Sequence, residues 1–283
     1  MRPLIGGLTA LICVVTPPQA SAQSDLPPTR WELALGGQVG VPSGYIKVGE
    51  NRGVDVPGTR LRFHEDLGLD LSGAAELKVG YHLTPRDALR FSLLAFFLEG
   101  TTTLERNIFY NGTAFGGGTL DSNFTFPRFT LAYERELLPL GEGGTLSGTV
   151  GLTYVSLNAV LRGTGPLVVR QKAPEDFFRQ ELPVPLLGLR ADYPLAPRLR
   201  LTASLAGGYL PWVDSLRTEG GTVNLTQAHV DGYLGLSYAL TPALSLEGGY
   251  RYTYFSQHER SHEDDNLFVL SDSGVVLGLA VRF

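Results

Sequence analysis

The sequence has almost no cysteine and no excess of positive charge. Cys13 is the only cysteine among 283 residues, so the chain cannot form an internal disulfide. Its 23 lysine and arginine residues are outnumbered by 28 acidic residues, which argues against a nucleic-acid partner. No apolar run approaches the roughly 20 residues that a membrane-spanning helix needs. These absences exclude a disulfide scaffold, a nucleic-acid-binding protein and a helical membrane protein.

The first residues are typical of a secretory signal peptide. Arg2 precedes a short apolar run from Leu4 to Val15, and an Ala-Ser-Ala sequence follows it and ends at Ala22. A charged start, a short apolar core and an Ala-x-Ala end predict cleavage after Ala22. We therefore expect residues 1–22 to be a signal peptide and residues 23–283 to form one exported domain without cysteine.

Long stretches of the remaining chain alternate between apolar and polar residues. The sequence ALSLEGGYRYTYFSQ at 243–257 is one such stretch, and others begin at Trp31, Ala75 and Leu199. Side chains of a strand point to opposite faces in turn, so each stretch predicts a strand with one apolar face. These strands are longer than the 5–6 residues common in soluble sheets and close to the roughly 9–11 that cross a bilayer. The apolar faces are therefore expected to meet lipid.

A short turn sequence recurs along the chain, and the number of its copies indicates the number of strands. YHLTP begins at Tyr81, YPLAP at Tyr193 and YALTP at Tyr238, and a looser copy begins at Tyr133. Proline lacks an N–H, so each copy predicts the end of one strand, a short turn and a new strand. Four turns join eight strands in pairs, and one further strand lies at each end. The ten expected strands span 31–42, 72–83, 87–100, 123–136, 145–158, 182–193, 198–210, 226–240, 243–256 and 273–283.

The connections at the opposite end are long and rich in Gly, Pro, Asn and Asp. They cover 43–71, 101–122, 159–181, 211–225 and 257–272. Short turns at one end and long loops at the other are typical of outer-membrane barrels, whose short turns face the periplasm. The sequence thus predicts an all-β fold, a closed antiparallel up-and-down transmembrane β-barrel of about ten strands in the cell outer membrane. Outer-membrane lipid is its first expected partner.

The C-terminal sequence VLGLAVRF resembles the assembly signal of bacterial outer-membrane β-barrel proteins, which end on an aromatic residue within an alternating final strand. Gly278, Val281 and Phe283 carry the resemblance, and Val276 departs from it because a polar residue is usual there. The resemblance implies insertion by the barrel-assembly machinery of a Gram-negative-type cell. It implies no molecular activity, since many activities share this fold.

Charged residues on the polar faces are expected to line the lumen, where a bare charge is costly unless it is paired or hydrated. The two signs nearly cancel, so we expect ion pairs that fill much of the bore and leave low or no conductance. The candidates for these pairs are Glu32, Glu76, Lys78, Arg90, Arg128, Glu134, Arg190, Asp192, Arg200, Asp231, Glu247 and Arg251, with Arg282 as a further lumen-facing base.

Two clusters lie in the predicted loops. QHERSHEDDN at 257–266 contains His258, His262, Glu263 and Asp264, whose imidazole and carboxylate groups could bind a divalent cation. A solvated loop is the favoured interpretation, and neither a metal nor a cofactor is expected. RLRFHEDLGLD at 60–70 contains alternating apolar residues, and we expect it to extend the second strand above the membrane, or alternatively to bind a partner.

No catalytic residue is predicted. Ten strands invite comparison with the omptin proteases, but no matching motif lies at the loop ends of the strands, and a Gly-x-Ser-x-Gly sequence is absent. The interpretation is a structural barrel or a narrow or plugged channel. The alternatives are a hydrolase with a site at the loop rim, an adhesin that binds an extracellular ligand with its loops, and a general porin.

Deleting Val281–Phe283 should leave the protein unassembled in the periplasm, because the deletion removes the aromatic end of the final strand. Cell fractionation and surface labelling of the truncated chain measure this. Normal surface exposure of the truncated protein would contradict the assembly-signal interpretation.

Overall fold

The computed structural model describes residues 30–50, 58–111, 113–163, 172–179, 182–218, 222–261 and 264–283. Within these ranges all regular structure is strand, and no helix is long and apolar enough to span a membrane. The strands, numbered in chain order, are β1 (Trp31–Glu50), β2 (Leu61–Arg62), β3 (Ser72–His82), β4 (Asp87–Leu104), β5 (Ile108–Tyr110), β6 (Thr113–Phe115), β7 (Gly118–Leu140), β8 (Gly144–Gly163), β9 (Lys172–Arg179), β10 (Val184–Ala196), β11 (Leu199–Thr218), β12 (Thr222–Ala239), β13 (Leu244–Arg260) and β14 (Asp264–Arg282).

Ten of these strands form a ring, in the order β1, β3, β4, β7, β8, β10, β11, β12, β13 and β14. Every pairing in the ring is antiparallel, and the β8–β10 and β14–β1 pairings complete it. At the junction of the first and last strands, the Trp31 N–H donates to the Phe283 carbonyl at 2.9 Å and the Phe283 N–H donates to the Trp31 carbonyl at 3.0 Å. The predicted antiparallel up-and-down barrel of about ten strands is confirmed.

The strands extend well beyond their predicted ends on the loop side. The first strand was expected to end at residue 42 but continues to Glu50, and β13 continues through His258 to Arg260. Much of each predicted long connection is therefore sheet. The expectation that 257–266 is a solvated loop is wrong for its described residues, because Gln257 and Asn266 are buried inside the barrel.

The polarity of the two strand faces reverses along the chain, which explains the missed strand ends. In the first half of β1, Leu33 and Leu35 point outward and are exposed, whereas Ile46 and Val48 near its loop end point inward and are buried. β14 shows the same reversal. Because the apolar residues move from one face of the strand to the other, the sequence shows no single alternating pattern along it. The pattern therefore stops before the strand ends.

The repeated turn sequence forms the same hydrogen-bonded structure twice. The Leu83 N–H donates to the Asp87 carbonyl and the Leu240 N–H donates to the Leu244 carbonyl, both at 2.9 Å. In each turn the threonine hydroxyl oxygen, of Thr84 or Thr241, accepts the backbone N–H three residues later at 3.0 Å. The threonine of the repeat thus completes the turn, as hydroxyl side chains commonly do.

An apolar belt surrounds the ring on the short-turn side. Residues from Trp31 to Val41 of β1 present exposed leucine and valine outward, and β14 does the same from Val275 to Phe283. At the rise and tilt of barrel strands, eleven residues give a belt about 25 Å tall, the height of a lipid-facing band. Aromatic rings mark its lower edge, where Trp31 contacts Tyr81 with ring centroids 4.6 Å apart.

The loop half of the bore contains an apolar core built on the aromatic rings of several strands. Phe126 contacts Phe255 with ring centroids 4.7 Å apart and Phe268 at 6.1 Å. The members of this larger apolar cluster are Ile46, Val48, Leu61, Phe63, Leu67, Leu69, Ala74, Leu94, Phe96, Leu98, Leu104, Ile108, Tyr110, Phe115, Leu120, Phe124, Phe126, Val155, Leu157, Ala159, Leu161, Phe255, Phe268 and Leu270.

Residues 58–71, which we call the plug segment, enter this core. Only Leu61 and Arg62 form a strand, and they pair with β1 rather than extending β3. The expectation that 60–70 extends the second strand is therefore wrong. The chain turns at 63–67 and places Phe63 and Leu67 inside the bore with no exposed surface. Burial of these apolar side chains, which could not face water or the charged lower bore, accounts for the inward fold.

The β5–β6 hairpin covers the same core from the loop side. Ile108, Tyr110 and Phe115 are fully buried, and the Tyr110 hydroxyl donates to the Ala159 carbonyl at 3.3 Å. The Thr59 N–H donates to the Phe109 carbonyl at 2.8 Å, which ties the hairpin to the plug segment.

Replacing Gly68 by Ala should displace the plug segment and destabilise the barrel. Gly68 has φ +66°, and a Cβ there would lie 2.6 Å from the Thr101 carbonyl oxygen, so both the backbone and the packing oppose a side chain. Gly117 is the matched control, since it has φ +57° but open space around its Cβ position.

We expect Gly117→Ala to cost about 1–2 kcal/mol of backbone strain and Gly68→Ala to cost clearly more. Urea unfolding in lipid vesicles, followed by tryptophan fluorescence, measures both free energies of unfolding. Equal decreases in the free energy of unfolding of the two variants would show that the plug segment is not docked at Thr101.

Candidate functional site in the barrel interior

The short-turn half of the bore is a charged chamber open to that end. It consists of two adjacent cavities of about 480 and 230 Å³, whose walls share Glu32, Arg90 and Arg190. All thirteen charged residues predicted to face the lumen, Arg282 included, lie in the wall of one or both cavities. The larger apolar cluster lies between this chamber and the loop end of the barrel.

An arginine holds two carboxylates near the mouth of the chamber. Arg90 of β4 donates to Glu134 from Nε at 2.9 Å and from Nη2 at 2.8 Å, and from Nη1 to Glu32 at 3.2 Å. Arg282 approaches the other oxygen of Glu32 at 3.9 Å. The fork geometry of a guanidinium allows one arginine to join β4, β7 and β1 in this way.

A second pair lies on β10. Arg190 donates from Nε to Asp192 at 2.6 Å and from Nη2 at 3.2 Å, and the Thr202 hydroxyl donates to the same carboxylate at 2.6 Å. Arg200 and Glu247 also line the chamber, but neither forms an ion pair with any residue that the structure describes.

Two ion pairs cross the bore deeper in the chamber. Arg128 of β7 binds Asp231 of β12 through two hydrogen bonds of 2.6 and 2.9 Å. Arg251 of β13 binds Glu76 of β3 at 2.5 Å, and Lys78 contacts the same carboxylate at 3.0 Å. The strands of each pair are not neighbours in the ring. These bonds therefore join parts of the wall that are three and four strands apart around the ring.

A buried carboxylate marks the boundary between the chamber and the apolar core. Asp272 of β14 accepts a hydrogen bond from Gln38 of β1 at 2.5 Å and another from the Ser72 hydroxyl. The sequence analysis did not single out these three residues. Their inward register on three neighbouring strands was the available signal.

The candidate metal ligands are only partly described. His258 lies on the outer face of β13, above the belt, and contacts Asp265 at 2.9 Å; Lys47 donates to the same carboxylate at 2.8 Å. His262, Glu263 and the side chain of Asp264 lie outside the described residues. Among the described residues, no three histidine, cysteine or acidic side chains are placed to hold a metal ion.

Asp265 keeps its charge in this position. Partial burial acts to raise the pKa of its carboxyl, but the hydrogen bonds from Lys47 and His258 outweigh burial and hold the pKa below its usual value. The three side chains therefore form a hydrogen-bonded group, built on the Lys47–Asp265 ion pair, that links β1, β13 and β14 outside the membrane.

The residues of the predicted assembly signal lie in β14, at the junction with β1. Val281 pairs with Leu33 and Leu244, and Phe283 is 64% exposed on the belt side. Their part in assembly remains a prediction.

Together, the ring of ten strands, its apolar outer belt and its charged interior invert the arrangement of a soluble protein. The protein is a transmembrane β-barrel of the outer-membrane type. No protein-family model and no curated protein sequence matches the chain.

Solved structures with a related architecture are Gram-negative outer-membrane barrels. The outer membrane protease OmpT from Escherichia coli shares 12% identity over 89% of this chain and 97% of its own, with a TM-score of 0.47. The translocator domain of the autotransporter NalP from Neisseria meningitidis shares 14% identity over 90% of this chain and 89% of its own, with a TM-score of 0.44. The outer membrane protein OprG from Pseudomonas aeruginosa shares 11% identity over 90% of this chain and 96% of its own, with a TM-score of 0.38. These likenesses concern architecture alone.

Replacing Arg251 by Met should strongly destabilise the outer-membrane barrel. The Arg251 and Glu76 side chains are 7% and 9% exposed, so Glu76 would keep only Lys78 as its partner. Removing one partner of a buried ion pair costs about 3–5 kcal/mol. Unfolding by urea in lipid vesicles measures the loss.

The double variant Arg251→Met with Glu76→Gln should regain much of the lost stability, because no buried carboxylate then remains without its arginine. Glu247→Gln is the control, since Glu247 lines the same cavity without an ion pair in the described structure, and we expect a change within about 0.5 kcal/mol. If Arg251→Met lowered the free energy of unfolding as little as Glu247→Gln does, the crossing pair would have no structural role.

Proposed function

We propose that this protein is a plugged outer-membrane barrel, a structural protein or closed channel that carries no steady ion current. The observation that supports this most directly is the larger apolar cluster. It includes eight fully buried aromatic side chains, from the strands and from the plug segment: Tyr110, Phe63, Phe96, Phe115, Phe124, Phe126, Phe255 and Phe268. The charged chamber ends below it.

An ion moving through the apolar cluster would have to leave its water shell. Transfer of an unpaired charge into apolar surroundings is prohibitive, and protein interiors pack too densely to leave a water-filled route among such side chains. The rings of Phe126, Phe255 and Phe268 lie within about 6 Å of one another at their centroids and so close the centre of the bore. The barrier therefore comes from the strands themselves as well as from the plug segment.

The ion pairs support a structural role for the chamber. Five of the six lumen acids predicted from the sequence, all except Glu247, accept hydrogen bonds from arginine. Carboxylates held in this way reinforce the wall and are poorly placed to transfer protons to a substrate. We infer that the chamber is a non-enzymatic part of the barrel.

The adhesin and rim-hydrolase alternatives depend on residues at the loop end. Several of these, including His262 and Glu263, lie outside the described residues. Neither alternative changes the expected electrical behaviour of the bore.

Wild-type protein in planar lipid bilayers should show little or no steady conductance, because the apolar cluster excludes hydrated ions. A general porin, reconstituted in the same bilayers, provides the positive control. A shift in gel mobility on boiling shows that the sample was folded before reconstitution. A large, stable current from folded wild-type protein would refute the plugged-barrel proposal and favour a general porin.

A further inference from the structure

A row of buried polar side chains passes through the otherwise apolar half of the bore. It begins at Thr253, whose hydroxyl donates to Asp231 at 2.9 Å, and continues through His229 and the pair Gln227 and Gln257 to Asn266. These five residues, which we call the polar track, are all at most 1% exposed. They lie on the inner faces of β12, β13 and β14, three consecutive strands of the ring.

Neighbouring members of the polar track are in contact or in adjacent register positions. Gln227 donates from Nε2 to the Gln257 side-chain oxygen at 2.6 Å, and the His229 ring nitrogen Nε2 lies 3.4 Å from the Gln227 side-chain oxygen. Asn266 is paired with Glu259, one inward position beyond Gln257. The track therefore leads from the deep end of the chamber toward the loop end.

The polar track follows a boundary between two apolar clusters. The larger cluster spans β13, β14 and the strands from β1 to β8, whereas a smaller one, formed by Val184, Leu210 and Leu225, lies on β10, β11 and β12. Gln227 and His229 on β12 and Gln257 on β13 lie where the two clusters meet. Amide and imidazole groups at this boundary separate the clusters.

Several polar atoms of the track have no partner among the described residues. They are Nδ1 of His229, Nε2 of Gln257 and both amide atoms of Asn266, and Nη1 of Arg251 just below the track is in the same condition. A buried donor or acceptor without a hydrogen bond costs about 1–3 kcal/mol. Four side chains with such atoms lie on one side of the bore, which is more than isolated unpaired groups would explain. Buried polar groups of this kind are usually hydrogen-bonded to bound water.

We propose that the polar track holds a file of water molecules that connects the chamber with the loop end of the barrel. This inference deepens the proposed function, on which it rests, by naming a wet route through the plug along β12, β13 and β14. Water moves along the file, and a small monovalent cation enters it too rarely to give a steady current, because the amide and imidazole side chains of the track carry no fixed charge. A buried carboxylate, Glu259, lies beside Asn266 at the loop end.

Cysteine accessibility to Ag⁺ in nitrate buffer tests this route. Cys13 is the single cysteine of the chain and lies in the predicted signal peptide, so an introduced thiol is unique in the exported domain, and a Cys13→Ser background keeps it unique in any uncleaved chain. Gln227→Cys and Gln257→Cys probe the polar track, and Leu157→Cys and Leu270→Cys probe the larger apolar cluster at equal burial. Protein in vesicles is exposed to Ag⁺, then denatured, and the thiols that remain free are counted with a maleimide.

We expect the track thiols to react at least about tenfold faster than the cluster thiols, because a thiol in apolar surroundings keeps its proton and meets no water. Equal rates at all four positions, whether fast or slow, would overturn the proposal, as would faster reaction in the apolar cluster. A mobility shift on boiling identifies the variants that are folded. Wild-type conductance is measured separately, so a plugged barrel with a dry track is distinguishable from a barrel that is not plugged.

Paired truncations provide a second measurement that needs no thiol. Gln227→Ala with Gln257→Ala should raise the bilayer conductance at least about tenfold above wild type, because a cavity with polar walls fills with water. Leu157→Ala with Leu270→Ala removes a similar volume from the apolar cluster, and its cavities should stay dry, so we expect lower stability without added current. Current from the second pair alone, or from neither pair, would count against a wet polar track.

Discussion

The hydrogen bonding of the backbone is the constraint on which the rest of this structure depends. Lipid offers no partner for an N–H or a C=O group, so a sheet that spans it has to return to its first strand. Here β14 runs beside β1 from Glu32 opposite Arg282 to Glu50 opposite Asp264, and β8 meets β10 to complete the ring. Ten strands then set the circumference, and the contents of the bore have to fit inside it.

Two surroundings meet along each long strand. In the belt, lipid lies outside and the charged chamber inside, so apolar side chains such as Leu277 face outward. Nearer the loop end, the outer face meets water and polar head groups, so Phe268 of the same strand faces inward. The barrel is thus a membrane protein in its lower half and resembles a soluble barrel, with an apolar interior, in its upper half. The plug segment belongs to this second half, where inward packing is favourable.

The belt half was predictable from the sequence because each strand there separates lipid from a polar interior. Leu33 and Leu35 alternate with Glu32, and that register alone assigns the charged residues to the bore. The upper half was not predictable in the same way. Before Ile46 and Val48, the apolar residues change from one face of the strand to the other within a stretch that contains glycine and proline. Such a sequence is typical of a loop. Phe63 and Leu67 carry no local mark that distinguishes a strand extension from a segment folded inward, because contacts with distant strands decide between them.

The ion pairs across the bore also bear on how the barrel keeps its shape. Arg128 with Asp231 joins the fourth and eighth strands of the ring, and Arg251 with Glu76 joins the second and ninth. A hollow ring of ten strands under lateral pressure from the membrane tends to flatten into an ellipse, and a bond along a chord resists that change. Both chords lie deep in the chamber, just below the larger apolar cluster, and oppose flattening of the wall there. The apolar core above can then pack against walls that do not shift.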